Sequence, residues 1–522
     1  LLPGNYYETN TFWNITQNMT VNNKTNSITF HFQEPMSPTL VYEILAASGD
    51  FVMDANWIAS HATSAQPALQ WTPAGFAAYE AQGSESDYNT YFVNHIMADG
   101  PYEIDFIVPS SEVVLIANPN FHEPGPWYPA PKIQKVVIEY IGETSTRDLQ
   151  LKSGYAQMGG IPSSDFDLVQ ALNTSRIDYN TFFPTLSIYW YNFNANINTT
   201  ILNTEYKGSN VPQTLFTVLQ IRQAFAYAYN ESEYLNYDIG NILYHKTFAS
   251  SYVGMLPLGM YGYQNESVIN ASTNGAVPYF DMAKATTLFE KGVDAFNNAS
   301  TAAKSGITIG GVPGAYTYNG APLDIPIFIF SADPSDLAGA EQWGTYLHTI
   351  TGGTFPVEPT AFPILLGNQV QGENPMPIYE LGWAPDYPYP TDYLNPMANP
   401  VNTTTYPGPN DMTSWWFSAN STNPTPNGTE SHDLALMAEW YVNGSTASST
   451  SVALHYFHMM NDMLVNMTFY VYLFQSYVYT TMTYKVPLSV VRNYEGNLMW
   501  AAGAGDTLYN YLYYSSTPQT FS

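Results

Sequence analysis

The chain has 522 residues, too many for one ordinary hydrophobic core, so two or three domains are expected. Only 11% of the residues are charged, against roughly 25% in typical soluble domains, and 14 Lys+Arg face 43 Asp+Glu for a formal charge of -29. That balance repels nucleic acid and anionic lipid, and the lack of cysteine excludes disulfides, thiolate metal sites and a cysteine nucleophile.

In chain order, residues 15–33 alternate polar and apolar around Asn22-Asn23-Lys24-Thr25-Asn26, the pattern of strand, turn and strand. Residues 102–108, 113–117 and 135–140 read as strands broken by Pro/Asn/Gly turns. A helix follows over 145–154, with a Ser/Thr cap at Ser145-Thr146 and a stop at Gly154. Further helices are expected near 217–229, 281–296 and 337–349, and strands at 186–193, 327–331 and 478–484. Residues 433–466 read as two helices split at Asn443-Gly444-Ser445, and 401–430 and 444–451 as surface loops. Alternation without a long uniform βαβ series predicts mixed α/β lobes.

Composition also indicates the surroundings. In strong acid carboxylates lose their charge while Lys and Arg keep theirs, so a chain with few bases and few ion pairs is suited to it. We therefore expect an exported protein of an acidophile, with an ordinary acidic secreted protein as the alternative. Fourteen N-x-S/T sequons stand at Asn14, Asn18, Asn23, Asn173, Asn198, Asn230, Asn265, Asn270, Asn298, Asn402, Asn420, Asn427, Asn443 and Asn466. That is about twice the chance number and fits a glycosylated surface protein. The chain opens Leu1-Leu2-Pro3-Gly4, neither an initiator Met nor a signal peptide, which predicts a processed or incomplete chain. Its greasiest window, 463–484, is interrupted by Asn466, Gln475 and Ser476 and reads as a buried helix followed by a strand. An anchor would lie outside this sequence.

Signals for an enzyme are weak. His455 and His458 are one helical turn apart, but no Glu stands between them as in H-E-x-x-H, and no G-x-S-x-G elbow or Walker loop occurs. Gly503-Ala504-Gly505 opens like G-x-G-x-x-G and lacks the third glycine. Asp386 and Asp392 as acid and base have no support from their spacing. No catalytic residue, metal or cofactor is assigned.

Recognition is better supported. The stretch Gly382-Trp383-Ala384-Pro385-Asp386-Tyr387-Pro388-Tyr389-Pro390 follows a short apolar run, and its three prolines are expected to hold it extended and stop any helix. Asp386 would then sit between aromatic faces on a stiff loop. In Tyr189-Trp190-Tyr191-Asn192-Phe193-Asn194, alternate residues face opposite sides of a strand; a cleft wall, with rings stacking on a ligand, and a core strand both fit.

The order of motifs is distinctive. Asp99-Gly100-Pro101-Tyr102 precedes Asn118-Pro119-Asn120-Phe121, Pro131-Lys132-Ile133 and Glu143-Thr144-Ser145-Thr146-Arg147. Leu151-Lys152-Ser153-Gly154-Tyr155-Ala156-Gln157, Ile221-Arg222-Gln223-Ala224-Phe225, Gly254-Met255-Leu256-Pro257 and Tyr279-Phe280-Asp281-Met282-Ala283 come next, and Gly382-Trp383 last. The series, over about residues 95–395, resembles the family 5 extracellular solute-binding proteins, the oligopeptide- and dipeptide-binding components of ABC importers, in an archaeal form. The resemblance implies a two-lobed α/β periplasmic-binding-protein-like fold, type II, with mixed sheets and a hinge crossed twice. The first lobe would comprise 1–188 plus 481–522 and the second 189–480. The family's N-terminal portion looks to be missing.

Carried over from the resemblance, Asp386 pairs with a peptide's α-ammonium and Trp383 lies at the cleft, with Tyr387, Tyr189, Tyr191, Asn192 and Tyr477 as looser ligand contacts. The resemblance implies a cell-surface protein that closes on an oligopeptide and delivers it to the membrane subunits of an ABC importer. An oligosaccharide ligand suits the abundant Trp and Tyr, and a structural lattice protein suits the composition.

Overall fold

The computed structural model describes residues 19–31, 38–45, 97, 99–126, 128–159, 177–179, 183–241, 247–298, 308–329, 334–360, 374–399, 429–478, 482–484, 489–490, 509–511 and 514–515. The chain divides into two compact units. One comprises Leu1–Gln33, Ile44–Phe183 and Val478–Ser522, the other Glu34–Glu43 and Pro184–Tyr477. No described helix is long and apolar enough to cross a membrane.

In the first unit, Met19–Asn22 and Ser27–Phe30 pair antiparallel around a turn whose Asn26 takes φ 48, a conformation that asparagine tolerates. A three-stranded antiparallel sheet follows from Tyr102–Val108, Glu112–Ala117 and Lys135–Glu139, with a bulge between Ile104 and Phe106. The next helix, Thr144–Ser153, ends at Gly154 in the left-handed region, as its sequence predicts. Its cap is Glu143, not Ser145 or Thr146. The Glu143 carboxylate accepts from the Thr146 N–H at 2.8 Å and from the Ser145 and Thr146 hydroxyls. These hydrogen bonds, the Ser145 hydroxyl's first, hold its carboxyl down at about 2.

The second unit is built on a six-stranded mixed sheet. In chain order its main elements are β1 (Phe183–Phe193), α1 (Leu219–Tyr227), β2 (Ala249–Ser250), α2 (Met282–Asn298), β3 (Ile327–Ile329), α3 (Pro334–Thr351) and β4 (Val357–Pro359). After them come β5 (Ile378–Trp383), α4 (Pro390–Ala398), α5 (Thr429–Ser445), α6 (Thr450–Met467) and β6 (Tyr470–Val478). The strand order is β4-β3-β5-β1-β6-β2. β3 pairs parallel with β4 and β5, and β5 antiparallel with β1.

Strand β1 is therefore central, and its two faces are both core. Tyr191 stacks on Trp343 of α3 with ring centroids 4.9 Å apart, and Phe193 stacks on Phe216. On the other face Trp190 meets Tyr470 edge-on. Trp343 also donates its indole N–H to the Phe225 carbonyl of α1. Arg222 on α1 is wholly buried; Nε and Nη2 donate to the Met467 carbonyl at 3.0 and 2.7 Å, and Nη1 to the Phe216 carbonyl at 2.7 Å. The guanidinium thus ties the start of α1 to the end of α6.

Two expected boundaries move. The split expected at Asn443-Gly444-Ser445 is present and falls just later, α5 ending at Ser445 and α6 opening at Thr450; at Gly444 the Phe457 ring of α6 occupies the place a side chain would need, 2.5 Å from an ideal Cβ. The strand expected over 478–484 is two strands, β6 ending at Val478 and Met482–Tyr484 in the first unit.

Candidate functional site

The site is built where β5 runs out. Its register sets Gly382 opposite Tyr189 and Trp383 opposite Ile188. Tyr189 lays its ring over Gly382, 2.7 Å from where a Cβ would stand, and stacks on Phe474 of β6 at 4.4 Å. An aromatic covering a strand glycine replaces the apolar contact that the glycine lacks. Tyr189 is thereby a packing element, half-buried, and its carbonyl accepts from the Tyr252 hydroxyl.

Beyond Trp383 the chain alternates. Ala384 and Asp386 are exposed, while Pro385, Tyr387 and Tyr389 are buried. The prolines do not stop every helix. Pro390 opens α4 at a position where its missing N–H costs nothing, and Pro396 lies inside it. The Tyr393 hydroxyl of α4 donates to the Leu186 carbonyl of β1, and Tyr389 stacks on Tyr261, 6.0 Å apart. The loop is thus pinned at both ends.

Between those ends lies Asp392, in the first turn of α4 and 2% exposed. Its Oδ2 accepts the Trp383 indole N–H at 2.9 Å and the Asp386 main-chain N–H at 3.1 Å. Burial pushes the Asp392 carboxyl up to about 7; the Trp383 hydrogen bond opposes the rise and the Asp386 charge adds to it. Asp386 itself turns its carboxylate to solvent, and partial desolvation raises it. No ion pair or side-chain hydrogen bond engages that carboxylate among the described residues.

The structure brings together Trp383 and Asp386, with Tyr189 one strand away. It sets the other expected contacts differently. Tyr387 is buried, with its hydroxyl 3.1 Å from Thr391 Oγ1, and burial raises its phenol. Tyr191 and Asn192 are 3% and 1% exposed, so β1 offers no ligand-facing wall there. The neighbouring Asn194 fixes the chain instead, its Nδ2 donating to the Asn374 and Met376 carbonyls. Tyr477 is half-buried at the end of the second unit, and its N–H donates to the Phe248 carbonyl. What sequence reading missed is the clamp at Asp392. Its signal was an acidic residue two places after a proline, the signature of a helix start.

Of the sequons, Asn23 lies in an exposed turn, and Asn265, Asn270 and Asn298 are exposed on or beside helices. Asn198, Asn230 and Asn265 cap helices with their side-chain oxygens, and Asn230 also donates Nδ2 to Glu233. Asn443 and Asn466 are inside α5 and α6. Asn14, Asn18, Asn173, Asn402, Asn420 and Asn427 lie outside the described residues. Among the described residues no group of three His, Asp or Glu is placed to hold a metal ion; His458 instead sets Nε2 2.8 Å from the Gly262 carbonyl.

Comparison with known proteins bears on the family and the fold. The profile of bacterial extracellular solute-binding proteins, family 5 Middle, matches residues 2–405. No curated protein matches the chain. Among solved structures it is similar to lactococcal OppA complexed with an endogenous peptide, at 14% identity and a TM-score of 0.59 over 95% of this chain and 76% of that one. It is similar to the oligopeptide-binding protein AppA of Bacillus subtilis in complex with a nonapeptide, at 11% identity and a TM-score of 0.58 over 96% and 79%. The periplasmic binding protein DppA of Helicobacter pylori in complex with peptide STSA aligns at 16% identity and a TM-score of 0.57 over 98% and 78%. These likenesses show a shared mixed α/β fold.

Proposed function

The chain belongs to the bacterial extracellular solute-binding proteins of family 5, and we propose that it captures an oligopeptide at the Asp386 loop for delivery to an ABC importer. Proteins of this family bind solutes without transforming them, so the chain is a binding protein and not an enzyme. The observation that carries the peptide reading is Asp386. It is an exposed carboxylate, fixed by its own main chain beside an indole, with its charge uncompensated by any described side chain. Partial desolvation makes the ionised form costly, and an arriving ammonium relieves that cost. A peptide brings such a group at its N-terminus; a neutral sugar does not. The rings that would suit sugar stacking, Tyr191 and Tyr387, are buried.

The exposed sequon at Asn23 supports a glycosylated surface protein. Calorimetry with defined tripeptides, their N-acetylated forms and oligosaccharides tests the ligand class. Free peptides should bind, and acetylation or Asp386→Asn should each weaken binding more than tenfold. Binding of sugars without peptides, or equal binding of acetylated peptides, overturns the proposal. Ordered self-assembly with no small ligand would point to a lattice protein instead.

A further inference from the structure

We propose that Asp392 is a positioning residue for recognition: a single buried carboxylate oxygen grips the Trp383 indole and the Asp386 main chain together, and so fixes the direction in which Asp386 meets its ligand. The inference rests on Asp386 as the anchor of a cationic ligand group. Its geometry is independent of that reading.

Three observations support it. First, the two donors come from different places in the chain, the end of β5 and the middle of the loop, and converge on Oδ2 at 2.9 and 3.1 Å. Such convergence locks the turn between residues 383 and 386, where an exposed loop would otherwise sample many conformations. Second, Asp392 Oδ1 is buried with no hydrogen-bond partner among the described residues, a costly arrangement in a folded core. Packing that alone decided this position would favour an apolar residue. Third, α4 is itself anchored to β1 through Tyr393 and Leu186, and Tyr389, the residue before it, packs on Phe457 of α6, so the clamp stands on a rigid base.

The clamp also gives recognition a pH dependence. An ionised carboxylate accepts hydrogen bonds roughly twice as strong as a neutral acid does. Its charge adds to that of Asp386 in attracting a cation. The groups facing Asp392 are Asp386 and Tyr387 in the loop and Tyr393 on α4. Tyr441 of α5 lies beyond Tyr387, and His458 with Asp462 of α6 lies across Gly262 from Pro390. The nearest of these are acidic, and His458, the one base among them, is engaged with the Gly262 carbonyl. Ionisation of Asp392 is therefore resisted until neutral pH, and both effects of the clamp strengthen as pH rises through about 7.

The test uses the full chain labelled with ¹⁵N-tryptophan, with the Trp383 indole resonance assigned by Trp383→Phe. In the ligand-free protein that resonance should titrate with a midpoint near 7. In Asp392→Asn, which keeps an oxygen acceptor of the same shape, it should stay in a hydrogen-bonded position and lose the titration. Asp392→Leu should release it to fast solvent exchange. Peptide affinity should rise about tenfold in the wild type between pH 5.5 and 8, stay flat in Asp392→Asn, and fall at least tenfold in Asp392→Leu at pH 8. A Trp383 resonance indifferent to pH and to both substitutions overturns the clamp. So does wild-type affinity in Asp392→Leu. If no peptide binds the wild type, the peptide reading fails while the indole titration still decides the clamp. If Asp392→Leu does not fold, the comparison of wild type with Asp392→Asn decides it.

Discussion

Substituting Gly382 by alanine tests how β5 is docked against β1. An ideal Cβ at residue 382 would stand 2.7 Å from two ring carbons of Tyr189, where ordinary contact is 3.4–4 Å. The ring would have to retreat by roughly 1 Å, and it is held from behind by Phe474 at a centroid distance of 4.4 Å. Overpacking of this kind costs about 1–3 kcal/mol. Tyr189→Ala alone loses the stack and part of a large apolar surface, about 2–3 kcal/mol for a half-buried ring. In the double variant the new methyl group meets empty space, so its cost should fall below about 0.5 kcal/mol and the two losses should not add. The coupling of about 1–2 kcal/mol is read from urea unfolding of the four proteins of the cycle, followed by tryptophan fluorescence. Strict additivity would show that Tyr189 does not cover Gly382.

Other outcomes follow from the same contacts. Arg222→Leu leaves the Phe216 and Met467 carbonyls buried without their donors and should cost about 3–5 kcal/mol by urea midpoint; Arg222→Lys should rescue little, because one ammonium cannot reproduce the fork. Asp392 and Glu231 are raised, chiefly by burial, to about 7 and about 8. Raised carboxyls contribute stability that is fully present below their unfolded values of about 4 and lost as pH climbs through the folded ones. The melting temperature should therefore rise as pH falls from 8.5 to 5, by a free energy on the order of 2–3 kcal/mol for Asp392, and Asp392→Asn should flatten that rise. Glu143, held at about 2, has the opposite sign: its cap is present above its unfolded value of 4.5 and lost as pH falls through 2, so Glu143→Gln should shift the acid limb upward. Glycopeptide mass spectrometry of protein from its native host should find sugar on Asn23 and none on Asn443 or Asn466; modification confined to the helix-interior sites would refute the accessibility argument.

The elements were legible wherever a local rule governed them. Gly154 ended its helix because only the left-handed region closes that turn, and the alternation around Asn22–Asn26 gave a hairpin with the asparagine in the strained position. The sequence also sets Trp383 and Asp386 apart as candidates for recognition, since a charge among aromatics at a strand end has few structural uses. What sequence could not reveal depended on neighbours distant in the chain. Tyr191 reads the same on a cleft wall or in a core, and Trp343 and Tyr229, farther along the chain, decide for the core. Gly444 reads as a helix stop, and its further use, leaving room for the Phe457 ring, shows only in the fold. Asp392 reads as a poorly supported acid–base partner of Asp386 until its oxygen is found between two N–H groups, one from the end of β5 and one from the loop.

That last arrangement separates what the loop holds from what it shows. The clamp takes the main-chain N–H of residue 386, which every amino acid except proline possesses, and leaves the side chain outward. Any residue at that position would be presented along the same line. A duplicated gene could drift at this one codon, exchanging carboxylate for amide, hydroxyl or base, and acquire a new cargo while the fold beneath it went unchanged. Diversity of ligands in such a lineage would then concentrate at a position whose side chain carries no structural duty, with the residue that orients it six places further along the chain.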